Sequence, residues 1–285
     1  MMPRRYIEVV VKTYFHEIKI AGLAIEFTLS KTVGGEPNEG EITIWNLDEG
    51  TANDIRVSGK EIYIRAGYEE NSGVIFSGDI RNVSQGRTHS GKLGAIKSEV
   101  QNVQKGVNYL TKIKIGGNYR KLTESYFAKS YKGTSDIRTI ATDAAKAIGL
   151  AIDGLGFLPA KTFEDFAFSG RAADLLDLIT SEPYPSSWYE DNGVIHFHGF
   201  GTPITEVVHR ISESSGLLGA PELLEDGIRL TTMLNPAITL AHLIELESAQ
   251  LPQANGEWKI RSLEYSANNR EDDHLIEIEA IPYEG

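Results

Sequence analysis

A chain of 285 residues, 41 % hydrophobic and 24 % charged, is long enough for two domains or three small ones with buried cores. It contains no cysteine, which excludes disulfides, cysteine–zinc sites and cysteine nucleophiles. Its formal net charge is −12, and Lys and Arg are scattered beside acidic residues. A dedicated nucleic-acid binder, which neutralises phosphates with a basic stripe, is therefore not expected. No apolar run approaches the ~20 residues needed to cross a bilayer. Residues 6–11 are too short and too strand-like for a signal segment, so folding in a cytoplasm without membrane anchoring is expected.

Residues 1–117 read as strands. Residues 6–12 are apolar and β-branched. Residues 23–31 alternate, with Leu23, Ile25, Phe27 and Leu29 on one face. A turn cluster at Gly34, Gly35, Pro37 and Asn38 leads to a second alternating strand over 41–46. Residues 48–57 form one short helical turn. Strands follow over 61–67, 73–81, 93–97 and 109–115.

The pattern then changes. Thr134 or Ser135 caps a helix over 136–148, in which Ile137, Ile140, Ala141, Ala144, Ala145 and Ile148 form one apolar stripe that Gly149 ends. Residues 163–168 alternate as a strand. Ser169 caps a second helix with Ala172, Leu175, Leu176 and Ile179 on one face, ending before Pro183. Asn192-Gly193 joins two strands as a hairpin. Residues 118–200 are thus a small α+β unit. After it, 216–221 read as a connector, 227–234 as a strand broken by Asn235-Pro236, and 242–248, 256–264 and 275–280 as three more strands.

The last three strands repeat an earlier pattern. From Ile62 to Ala95 and from Leu243 to Ile276 the spacing is the same 33 positions. Self-similarity at fixed spacing points to a duplicated β scaffold with the α+β unit inserted between its copies.

Candidate chemistry is sparse. His196 and His198 share a strand face, but a zinc site needs a third and usually a fourth ligand, and none stands out. The other histidines (His16, His89, His209, His242 and His274) lie in unrelated contexts. Glu182, Glu190 and Asp191 could supply a carboxylate pair for glycoside hydrolysis, but they sit among turn residues and equally fit a solvated hairpin. Gly34-Gly35 and Gly116-Gly117 lack phosphate-loop spacing, and there is no Gly-x-Ser-x-Gly elbow. Trp45, Trp188 and Trp258 fall in strands, where packing is the expected role. No residue is assigned to catalysis, a cofactor or a metal.

Several motifs occur in an order that resembles bacteriophage tail baseplate hub proteins. They are Leu29-Ser30-Lys31, Glu36-Pro37-Asn38 and Glu41-Ile42-Thr43-Ile44-Trp45-Asn46-Leu47, then Ala66-Gly67-Tyr68 and Ile75-Phe76-Ser77-Gly78-Asp79-Ile80. Later come Ser214-Ser215-Gly216-Leu217-Leu218-Gly219-Ala220-Pro221 and Leu234-Asn235-Pro236, similar to the family's entry into a second barrel. Residues 92–108 match less well.

The resemblance implies a β-rich α+β fold: two tail-tube-like β-barrel modules (1–117 and 201–285) and an α+β insertion (118–200). It implies a non-enzymatic virion protein of the tail baseplate, or of a related prophage or contractile injection particle, assembled in the host cytoplasm. Three copies would form a pseudo-hexameric ring between the hexameric tail tube and the trimeric spike, touching other baseplate proteins and passing DNA only in transit. The rival readings are a tail-associated cell-wall hydrolase and a receptor- or carbohydrate-binding tail module. A conduit must pass DNA without trapping it, so an acidic lumen is expected. Glu245 with Glu247, and Glu277 with Glu279, each lie two apart on one strand face and are the candidate lumen pairs.

Overall fold

The computed structural model describes residues 4–89, 107–181, 186–199 and 207–283. The first block contains β1 (Arg5–Thr13), β2 (Glu17–Ala21), β3 (Ala24–Thr32), β4 (Glu39–Trp45), α1 (Glu49–Ser58), β5 (Gly59–Tyr68), β6 (Asn71–His89) and β7 (Val107–Gly116). The middle block contains α2 (Tyr119–Glu124), β8 (Tyr126–Ser130), β9 (Thr134–Asp136), α3 (Ile137–Ile148), β10 (Ala151–Asp153), β11 (Thr162–Glu164), β12 (Ala167–Arg171), α4 (Ala172–Thr180), β13 (Ser186–Asp191) and β14 (Val194–Gly199). The last contains β15 (Val208–Ser212), β16 (Leu217–Leu223), β17 (Ile228–Met233), β18 (Leu243–Glu247), β19 (Gly256–Asn268) and β20 (His274–Pro282).

The fold is β-rich α+β, two similar β modules with a small α+β insertion. Their strand orders correspond one to one. The first module runs β3-β4-β7-β6-β5-β1, with β2 added outside β1; the second runs β16-β17-β20-β19-β18-β15. The outermost pairing differs: β1 meets β5 antiparallel, whereas β15 meets β18 parallel. A shared irregularity marks the equivalence. β6 is bulged at Arg81, between Ile80 (opposite Ile115) and Asn82 (opposite Lys114). β19 is bulged at Arg261, between Ile260 (opposite Ala280) and Ser262 (opposite Glu279). A bulge bends its strand and sharpens the local twist, so both modules curl at the same place.

The modules are not separate sheets. β3 pairs antiparallel with residues 262–268 of β19, joining both into one 13-stranded sheet. β3 would otherwise be a bare edge strand, with unpaired backbone groups open to other chains. One apolar cluster continues through both modules, from Val9, Ile25 and Phe27 to Leu263, Tyr265 and Ile278.

The insertion has its own core. Ile137, Ile140, Ala141, Ala144, Ala145 and Ile148 of α3 meet Leu175, Leu176 and Ile179 of α4, with Trp188, Ile195 and Phe197 beneath. These are the stripes read from the 3.6-residue period. Gly149 ends α3 in the left-handed region (φ +77°), and Asn192-Gly193 turns the β13–β14 hairpin with positive φ at both residues.

Several local expectations are corrected. The strand expected at 93–97 lies outside the described residues; the strand beside β6 is β7, so the 33-residue spacing is not the repeat. Residues 49–58 form a full ten-residue helix, capped by Asp48 accepting from the Thr51 amide. Asp136, not Thr134 or Ser135, caps α3, and Ser169 lies inside β12 rather than capping α4. The strand over 163–168 is broken at Asp165 (φ +46°) into β11 and β12. Residues 217–221 of the expected connector belong to β16. Gly219 and Pro221 disguised it: they occupy a bulge on an edge strand, where a missing amide costs no ladder bond. The short segments β2, α2, β8 and β15 were not expected at all.

Candidate functional site

Two features stand out: a buried polar junction that locks the insertion to the barrels, and a polar sheet face that crosses both modules.

The junction forms around the β13–β14 turn. Lys31 continues the inward alternation of β3 beyond Leu29, so its ammonium is delivered into the interior. There it pairs with Asp191. Asn38 Nδ2 donates to the Glu190 carbonyl at 2.9 Å. Asn118 Nδ2 and the Gly193 amide donate to Glu190 Oε1 at 2.8 and 2.7 Å. Tyr189, buried with the barrel core, donates to the Leu240 carbonyl at 3.1 Å, and Lys259 of β19 donates to the Gly199 carbonyl at 2.6 Å. Glu190 and Asp191 are therefore buried structural groups, not members of a solvated hairpin. The turn residues around them hid this. The signal that could have revealed it is Lys31 itself, a cation on the next apolar position of an alternating strand, which implies a buried counter-charge.

Histidines surround the same junction. His196 and His198 both pack on Tyr189, but His196 lies 3.4 Å from Asp153 while His198 approaches Lys259 Nζ at 3.2 Å. His209 Nε2 and His242 Nδ1 are 3.2 Å apart with stacked rings. Among the described residues no three His, Asp or Glu side chains converge as metal ligands. Trp188 is buried and donates to Asp177, and Trp258 donates to the Ala254 carbonyl, both as packing residues. Trp45 instead lies half-buried on the solvent side of β4. Glu182 lies outside the described residues.

The junction's electrostatics give a pH test. Burial, then Lys259, pushes His198 down to about 4, and burial, then His209, pushes His242 down to about 4. Both are depressed below their ordinary 6.5, so the stability they add is complete above pH 6.5 and lost as pH falls towards 4. Glu190 behaves oppositely. Burial raises it from 4.5 to about 7 despite its hydrogen bonds, so its contribution is complete below pH 4.5 and lost as pH rises through 7. Glu190→Gln keeps the acceptor and removes the charge. The variant is expected to gain on the wild type between pH 4.5 and 7, by on the order of 2–3 kcal/mol. Urea titrations across that range check this; a difference that does not change with pH would show that Glu190 ionises as it does in water.

The polar face follows from the sheet register. Opposite the buried apolar side, Glu279, Glu277 and Leu275 of β20 align with Ser262, Glu264 and Ser266 of β19. These align in turn with Thr32, Ser30 and Thr28 of β3. Ser30, Thr28 and the next outward residue, Glu26, face Glu39, Glu41 and Thr43 of β4, and Glu41 and Thr43 face Lys114 and Lys112 of β7. Glu277 and Glu279 are held by Arg229, whose guanidinium lies 3.3 and 2.7 Å away. Glu264 sits directly opposite Glu277, a like-charge pairing that costs stability and leaves the face acidic. Of the other candidate pair, Glu245 bonds Arg210 at 2.7 Å and Glu247 is exposed.

A duplicated β scaffold whose sheet passes from one module into the next defines a protein of phage-tail architecture. The chain belongs to the baseplate hub gp41 family, whose model matches residues 110–280. The fold is shared with solved tail proteins at very low identity. The 43 kDa tail protein of prophage MuSo2 from Shewanella oneidensis is 8 % identical, with a TM-score of 0.61 over 96 % of each chain. A tail protein from Neisseria meningitidis MC58 is also 8 % identical, with a TM-score of 0.60 over 98 % of this chain and 97 % of that one. The c3393 protein of Escherichia coli is 11 % identical, with a TM-score of 0.57 over 96 % of this chain and 77 % of that one. It is a type VI secretion component described as structurally similar to T4 tail proteins gp27 and gp5. Curated protein sequences contain no match to the chain.

Proposed function

We propose that three copies of this hub protein close into a ring of six equivalent modules, joining a hexameric tail tube to a trimeric spike within the virion baseplate. The role is structural, through strand edges and buried interfaces, with no chemical step. The observation that carries it is the single sheet in which two modules of the same strand order stand edge to edge. Each chain then supplies two of six ring positions, which reconciles threefold with sixfold symmetry. Head-to-tail contacts of this kind generate closed rings when the rotation closes. In this reading residues 1–117 and 201–285 are the tube-like modules, and 118–200 is a unit carried on the ring's flank. Light scattering and electron micrographs of the protein with its tail partners should report three copies and a six-lobed ring. A monomer or dimer in the assembled particle would overturn the proposal.

The polar sheet face is the proposed lumen wall. It is rich in carboxylates and hydroxyls, and Lys112 and Arg229 on it are tied to Glu41, Glu277 and Glu279, so it offers DNA phosphates little to hold. Replacing Glu264 and Glu277 by Lys should slow genome ejection at low salt, with recovery at high salt, since exposed charges are screened within about 10 Å at 0.1 M. Equal ejection rates at both salts would place this face away from the channel.

A further inference from the structure

The joint between modules inside the chain supplies a template for the joint between chains. Within the chain, β3 pairs with β19 only beyond the bulge at Arg261; before it, that edge of β19 pairs with β18. In the other module, β16 stands in the place of β3 and β6 in the place of β19. Both stand-ins lack that partner among the described residues. β16 ends the sheet, and β6 pairs with β5 only as far as Asp79. Among the described residues, nothing pairs with that edge of residues 81–89 of β6.

Side-chain burial agrees. Leu263 and Tyr265, covered by β3, are each 1 % exposed. Their counterparts, Val83 and Gln85, are half-buried and exposed. On β16, Leu223, the counterpart of Leu29, which is 1 % exposed, is 49 % exposed. Positions that the internal joint covers are thus bare at both outer ends of the sheet.

We propose that β16 of one copy of this chain pairs antiparallel with β6 of the next copy, beyond Arg81, repeating the β3–β19 joint. The register follows from the equivalences. Tyr265 faces Leu29 within the chain. Gln85 lies four residues beyond the bulged Arg81, as Tyr265 lies four beyond Arg261. Leu29 faces Gly40, which faces Ile115; Leu223 faces Ile228, which faces Ala280, the counterpart of Ile115. Gln85 of one copy therefore faces Leu223 of the next. The bulge at Gly219 and Pro221 interrupts the ladder between Leu218 and Glu222 and leaves the Leu223 end able to pair. This rests on the ring proposed above, and it names the strands and register that would build it.

The cysteine-free chain allows a direct test. Directly opposed antiparallel residues have Cα atoms about 4.5–5.5 Å apart, within disulfide range. Full-length Q85C/L223C, oxidised without reductant, should migrate as a covalent trimer at three times the 31.4 kDa chain mass, with a dimer intermediate and nothing larger. Mixing the two single variants should give one linked pair, which shows that the bond lies between chains. Q85C/E222C should remain unlinked, because neighbouring strand residues point to opposite faces. A ladder extending beyond three would support the pairing and overturn closure at three. A trimer by light scattering without the disulfide would leave the ring reading standing and overturn this pairing. An unlinked monomer would overturn the pairing as a self-assembly surface.

Discussion

Ile140→Asp is expected to unfold the insertion while the barrel sheet stays folded. Ile140 is fully buried at the centre of α3, against α4 and the strands beneath. Aspartate there loses the burial of a large aliphatic side chain and places a carboxylate where the surrounding core is apolar. The combined cost exceeds about 4 kcal/mol, the range reserved for severe core lesions. The insertion's core is distinct from the cluster that runs through the two modules, so the damage should stay local. Circular dichroism should show loss of helical signal, with a remaining β transition on heating. An unchanged melting curve would contradict the placement of this core.

Asp191→Ala is expected to destabilise the protein by about 3–5 kcal/mol, the usual cost of removing one partner from a buried ion pair. Lys31 and Asp191 have side chains only 3 % and 10 % exposed, so the remaining ammonium cannot recover its hydration. Glu190, beside it, would then be drawn towards ionisation and would offset part of the loss. Lys31→Met with Asp191→Leu should restore most of the stability, because neither side chain then carries a buried charge. Chemical denaturation of the two variants provides the comparison. If single and double variants lose the same stability, the charge is irrelevant and the site matters only through packing.

Much of the architecture was legible in local sequence. Alternation placed β1, β3, β4, β5 and β17 within a residue or two, since a half-buried strand must alternate. Helical stripes placed α3 and α4 and named their buried residues, because an amphipathic helix has one core-facing side. The Asn-Gly turn gave the β13–β14 hairpin. The duplication was visible as a recurring meander, although its exact spacing was not, because the third strand of the first copy is β7. Short or irregular elements escaped. β16 carries a glycine and a proline within seven residues, and only its position at the sheet's end makes that composition tolerable.

The amino-acid sequence by itself determined the element types, the duplicated β character, the apolar stripes of the insertion and the absence of cysteine chemistry. All of these follow from the local periods of strand and helix and from composition. Only the tertiary structure decided that β3 joins β19, that Lys31 meets Asp191 across 160 residues, and that Glu190 is buried. Those outcomes depend on which edges and which polar groups are brought together at long range. A strand's own residues specify which face is apolar, but not which neighbour will cover its edge.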